Sequence, residues 1–167
     1  MNLVKPCLLA VALLGVSSAA SAATATANMT VQLTVVNDCS IAAIPTLNFG
    51  SVTGSIATPI NTLTTTLTVK CNGSVPYHVG LGNGNNYSGG SRRMKHSTDA
   101  QFVNYGLYTD TARTSNFGAT AAGGTANDVD MTGTGSDQTI TVYGLVPATQ
   151  NVPGGSYSDT VLATMEY

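Results

Sequence analysis

The chain has 167 residues, of which 8% are charged, with a formal net charge of −2. It carries no basic stripe able to neutralise a run of phosphates, which excludes nucleic acid as a partner class. Thr, Gly, Ala, Ser and Asn dominate, yet apolar and polar residues alternate repeatedly along the chain, and that pattern belongs to a folded all-β domain rather than to a disordered one.

The first element is an export signal. Lys5 precedes the apolar run "CLLAVALLGV", and "SSAASA" offers a small-residue cleavage site ending at Ala22, so residues 1–22 read as a secretory signal peptide. The run is shorter than the roughly 20 residues a membrane-spanning helix needs, and no later segment is long and apolar enough, so the expected product is exported and not membrane-spanning. Cys7 leaves with the signal. Cys39 and Cys71 remain, an even number in an oxidising compartment, and the simplest arrangement is one disulfide. Two cysteines alone do not make a metal site, and no cofactor is expected. About 145 residues remain after cleavage, enough for one domain with a real core.

Next comes "ANMTVQLTVVNDC". Ala27, Met29, Val31, Leu33 and Val35 share one face, with Asn28, Thr30, Gln32 and Thr34 on the other, as in a half-buried strand. "TLTTTLTVKC" places Leu63, Leu67, Val69 and Cys71 together. "VPYHVGL" aligns Val75, Tyr77, Val79 and Leu81, and "FVNYGLY" aligns Val103, Tyr105 and Leu107. "QTITVYGLV" contributes Ile140 and Val142, and "SDTVLATMEY" contributes Val161, Ala163, Met165 and Tyr167. Short strands between Gly, Asn, Ser and Pro clusters, without a long 3.6-residue period, predict an antiparallel sandwich with little helix. "GNGNNYSGGSRRMKHSTDA" reads as a long polar loop. "TSNFGATAAGGTANDVDMTGTGSD" reads as another, and both have room for short strands or a helical turn.

Catalytic chemistry has little to build on. The only histidines are His78 and His96, and neither a G-x-S-x-G elbow nor an H-E-x-x-H helix is present. His78 falls on the polar face of its strand and reads as a solvated imidazole. His96 stands with Arg92, Arg93 and Lys95 in what reads as a solvated basic cluster, an acidic polysaccharide being the alternative contact. Asp128, Asp130 and Asp137 lack the closing Glu and the ligand spacing of an EF-hand. "GNGNNYSGG" lacks the G-K-[ST] ending of a phosphate loop. Asn28, Asn72 and Asn86 begin glycosylation sequons, which a tripeptide forms readily by chance.

At "GGSRRMKHSTDAQFVNYGLYTDTARTSNFG" and "PGGSYSDTVLATMEY" the sequence resembles the spore coat protein U domain family, whose members include subunits of archaic chaperone–usher pili. The resemblance extends over "LNFGSV" at Leu47–Val52, the strand end at Cys71 and the two cysteines. Phe117 stands where many relatives carry Trp. It implies an incomplete immunoglobulin-like antiparallel β-sandwich with an N-terminal donor strand, whose missing last strand leaves an open hydrophobic groove. Residues 23–36 would then be the donor segment and residues 37–167 the pilin domain. Ala27, Met29, Val31, Leu33 and Val35 would enter a neighbour's groove, and Val161, Ala163, Met165 and Tyr167 would form the groove's edge strand. The expected end of the chain at Tyr167, directly after a strand, agrees with this, and the division between donor and first domain strand stays open.

The implied partners are a periplasmic pilus chaperone, an outer-membrane usher and neighbouring copies or other pilus subunits. The implied role is a non-enzymatic shaft or adaptor subunit of an adhesive surface pilus that supports attachment and biofilm formation. A secreted spore or cell-coat protein of the same family is the first alternative. A carbohydrate-binding sandwich is weaker for want of Trp, and a hydrolase is last.

Overall fold

The computed structural model describes residues 21–119 and 127–167. The signal peptide and Cys7 fall almost wholly outside these residues. The chain divides after Thr34 into two compact units, so that 21–34 is the described part of the first and Val35–Tyr167 is the second. In the first unit every described residue is exposed and none is in a strand.

The second unit is built from β1 (Cys39–Ile41), β2 (Thr64–Cys71), β3 (Pro76–Leu81), β4 (Arg92–His96), β5 (Phe102–Tyr108), β6 (Val129–Thr132), β7 (Asp137–Leu145), β8 (Tyr157–Ser158) and β9 (Ala163–Glu166). No helix occurs among the described residues, so none is long and apolar enough to cross a membrane. Six strands form one sheet in the order β1-β2-β7-β5-β4-β8, and three form another in the order β6-β3-β9. Every pairing is antiparallel.

The alternation dictates which faces meet. Leu67 and Val69 of β2, Ile140 and Val142 of β7, and Val103, Tyr105 and Leu107 of β5 join Tyr77, Val79 and Leu81 of β3 in one buried cluster. Thr64, Thr66, Thr139 and Thr141 take the intervening positions, and Thr66 lies directly opposite Thr141. Phe117 is fully buried, so the aromatic that replaces Trp fills a core position. Cys39 and Cys71 are directly opposite in the β1–β2 register and are joined by a disulfide, as the cysteine count predicts.

Strand pairing begins at Cys39, and the residues from Ala27 to Asp38 stand outside the strands of this chain. Both polar stretches carry short strands, for which the sequence left room. The polar loop "GNGNNYSGGSRRMKHSTDA" contains β4, which pairs with both β5 and β8. The second loop contains β6, paired with β3. In β4 the inward positions are Arg92, Met94 and His96, an alternation that apolar patterning conceals.

Candidate functional site

A groove of about 800 Å³ opens in the second unit. Its floor is made by buried side chains of the strands, among them Leu67, Leu81, Val103, Leu107, Val142 and Val146. One wall is the stretch from Ile44 to Ile56, which follows β1 without forming a strand. It is held by Thr65 Oγ1 donating to Pro45 O and by a bridge from Ile56 to Gln150. Leu47 and Phe49 lie over Gly144 of β7; a Cβ there would meet Leu47 Cδ2 at 2.7 Å, so only glycine admits the wall at this distance. The rim exposes Ile44 and Val52. The floor of the trough is apolar, while its walls mix apolar side chains with polar ones such as Asn48, Ser51, Ser156 and Thr160.

The other wall runs from Val152 to Val161. β8 ties it to β4, with His96 opposite Tyr157. Asp159 fastens it further, accepting from Tyr105 Oη at 2.7 Å and from Asn86 Nδ2 at 2.9 Å. Burial, with the carboxylate of Asp159 alongside, pushes the Tyr105 hydroxyl well above its usual pKa, so it stays a donor.

Behind this wall lie two residues that the sequence reading placed in solvent. Arg92 is buried, and its guanidinium donates to the carbonyls of Leu81, Gly82 and Phe117 at 2.7, 2.9 and 2.7 Å. Burial pulls its pKa below the ordinary value, opposed by Tyr105, Tyr87 and Asp159. His96 is also buried: its Nδ1 lies 3.2 and 3.1 Å from the N–H groups of Thr98 and Asp99, and Nε2 lies 3.3 Å from Gly154 O. That geometry fits the tautomer with its proton on Nε2. The solvated cluster is therefore corrected for these two, because each finds backbone partners: Arg92 the carbonyls of Leu81, Gly82 and Phe117, and His96 the N–H groups of its following turn together with Gly154 O. Arg93 and Lys95 do turn outward.

Of the expected edge-strand residues, Val161 lines the groove. Ala163 and Met165 lie in β9 and pack against the core, while Tyr167 follows the strand and is 60% exposed. β9 pairs with β3 along one side, and it is the last strand of its sheet. Met29, Val31, Leu33 and Val35 are 85%, 79%, 87% and 74% exposed, and Ala27 is exposed with them.

His78 is not simply solvated. Its Nδ1 lies 2.5 Å from Asp130 Oδ1, across the β3–β6 register, and the hydrogen bond to Asp130 raises its pKa. His78, Asp128 and Asp130 each offer a ligand atom within 4.8 Å of the others. Asp137 does not join them; it opens β7 opposite Lys70 in the other sheet. The pairing of His78 with Asp130 spans 52 residues and leaves no local signal in the sequence.

The family model described as "Spore Coat Protein U domain" matches residues 25–164. Protein U of Myxococcus xanthus is 37% identical over 183 aligned positions, which cover the whole of both chains. Among solved structures, the fold is similar to a chain of the CsuC–CsuE chaperone–tip adhesion subunit pre-assembly complex, from the archaic chaperone–usher Csu pili of Acinetobacter baumannii. The TM-score is 0.52 at 22% identity, over 80% of this chain and 41% of that one.

Proposed function

The chain belongs to the Spore Coat Protein U domain family, and from that premise we propose that it is a non-enzymatic structural subunit of a surface pilus assembled by the chaperone–usher route. The observation that carries this reading is the apolar groove of about 800 Å³ in a chain that also exposes an alternating apolar segment from Ala27 to Val35. A groove and a strand on one chain suit strand addition between copies: main-chain hydrogen bonds supply affinity, and alternate side chains entering pockets supply specificity. Residues 23–36 act as the donor segment and residues 37–167 as the pilin domain. Ala27, Met29, Val31, Leu33 and Val35 enter the groove of the next subunit. The stretch from Val161 through Ala163, Met165 and Tyr167 provides the acceptor edge.

Burying the four larger donor side chains contributes on the order of 6–12 kcal/mol before ordering costs. The contact is heterologous and propagates as a filament. Before assembly a periplasmic chaperone covers the groove, since an open apolar trough invites aggregation. An outer-membrane usher then receives the subunit, residues 1–22 having been removed on export, and the filament serves attachment and biofilm formation.

Val31→Asp tests the reading. A carboxylate forced into an apolar pocket costs several kcal/mol, so the variant still co-purifies with its chaperone, while electron microscopy shows no surface filaments. A Val31→Asp chain that fails to fold or to bind the chaperone would return the segment to its own domain and refute donation. The second reading, a structural coat protein, is favoured by the family's description and by the match to Protein U across both whole chains. Neighbouring genes for a chaperone and an usher distinguish the two.

A further inference from the structure

Two outer sheet faces of this chain carry charge of opposite sign. In β6-β3-β9, Tyr77, Val79, Met131, Ala163 and Met165 pack inward, so that His78, Asp130 and Glu166 turn outward. The register sets Asp130 on one side of His78 and Glu166 on the other, with Asp128 beside Asp130. β3, β6 and β9 contain no Lys or Arg. Leu162, just before β9, is 73% exposed.

The opposite sign gathers on the six-stranded sheet. Arg92, Met94 and His96 point inward, which turns Arg93 and Lys95 outward. The Arg93 guanidinium sits 4.2 Å over the ring of Phe102 on β5, and Lys95 lies opposite Phe102 in the register. β4 and β5 contain no Asp or Glu. Lys70, by contrast, is opposite Asp137 and adds little net charge.

We propose that these faces recognise each other between copies: the acidic outer face of β6-β3-β9, with Asp128, Asp130 and Glu166, docks on the cationic outer face of β4 and β5, with Arg93 and Lys95, of a second copy of this chain. Complementary charge selects this pairing, and like charge opposes either face meeting itself, so a two-fold dimer through one face is disfavoured. Leu162, exposed at the start of β9, and the Phe102 ring beneath Arg93 add apolar surface beside the charged groups. Leu162 and Glu166 belong to the stretch that also provides the acceptor edge but do not line the groove, and the docking does not use the donor segment. In a filament it joins subunits side by side.

The test is charge reversal in the full chain. One variant carries Asp130→Lys and Glu166→Lys; the other carries Arg93→Glu and Lys95→Glu. All four positions are on outer faces, and circular dichroism with an intact disulfide confirms folding; a variant that fails is replaced by Glu166→Lys or Lys95→Glu alone. Sedimentation is compared between about 10 mM and about 0.5 M salt, because screening removes charge contacts and leaves strand addition in place. The wild type shows a salt-sensitive association that weakens at least about tenfold in each variant alone and returns when the two are mixed, since the mixture restores both complementary pairings. Unchanged association in either variant, or no recovery on mixing, overturns the proposal. So does association abolished by EDTA and indifferent to Arg93→Glu with Lys95→Glu, which would assign His78, Asp128 and Asp130 to a bridging cation.

Discussion

Replacing Arg92 by Met removes a buried guanidinium while keeping a long apolar stem in its place. Three carbonyls lose their donor: those of Leu81 and Phe117 in the buried interior, and that of Gly82 nearer the surface. Hydrogen bonds from a charged group contribute about 1.5–3 kcal/mol each, and the energy needed to desolvate the guanidinium offsets part of their sum. What remains is chiefly the stranding of two buried acceptors at about 1–3 kcal/mol apiece, to which the lost bond to Gly82 adds little because water can replace it. The expected destabilisation is about 3–5 kcal/mol. Arg92→Lys recovers only part of it, because an ammonium cannot reproduce the planar fork that reaches three carbonyls. Urea unfolding of the purified chain, with its disulfide intact, reads the difference from the midpoint at constant slope. A loss below about 1 kcal/mol for Arg92→Met would refute the reasoning, since surface arginines behave that way.

Two further outcomes follow from the same structure. Cys39→Ser or Cys71→Ser opens a bridge across a separation of 32 residues, and the chain-entropy relation gives a loss of about 3.5–4 kcal/mol, measured as a lower urea midpoint. His78 has its pKa raised above 6.5 by the hydrogen bond to Asp130 and by the charges of Asp130, Asp128 and Glu166, with desolvation acting the other way. Its contribution to stability is therefore complete below 6.5 and is lost as pH rises through the raised value. Thermal midpoints of the wild type and His78→Gln should converge with rising pH; a gap that widens instead would show the sign to be wrong.

How much of this architecture can be read from the sequence depends on how local each cause is. β2, β3, β5 and β7 announce themselves because their inward side chains are largely apolar and alternate with Thr on β2 and β7, with His78 and Gly80 on β3, and with Asn104 and Gly106 on β5. β4 does not, because two of its inward positions are Arg92, stabilised by the carbonyls of Leu81 and Phe117, and His96, stabilised by the N–H groups of the turn that follows it and by distant Gly154 O. The disulfide follows from counting cysteines. Of the acceptor wall only Val161 is named by strand alternation, since the stretches from Ile44 to Ile56 and from Val152 to Val161 take their places through Gly144, Gln150 and Asp159 rather than through a repeating pattern. The Ala27–Val35 alternation is plain in the sequence but has no strand partner, and a pattern alone does not reveal whether the partner is on the same chain.

The bridge between Cys39 and Cys71 also decides where mechanical load enters the domain. Tension pulling on the segment before Cys39 would, without the bridge, peel β1 from the sheet one residue at a time, because its backbone pairing with β2 is short, reaching only from Asp38 to Ala42. With it, the load bypasses β1 through a covalent bond and arrives at the end of β2. That strand is paired to β7 from Thr64 to Lys70, so its rungs share the force in shear instead of parting in turn. A short edge strand thereby becomes an anchor point, and the tether reaches the second strand of the larger sheet without first unravelling its border.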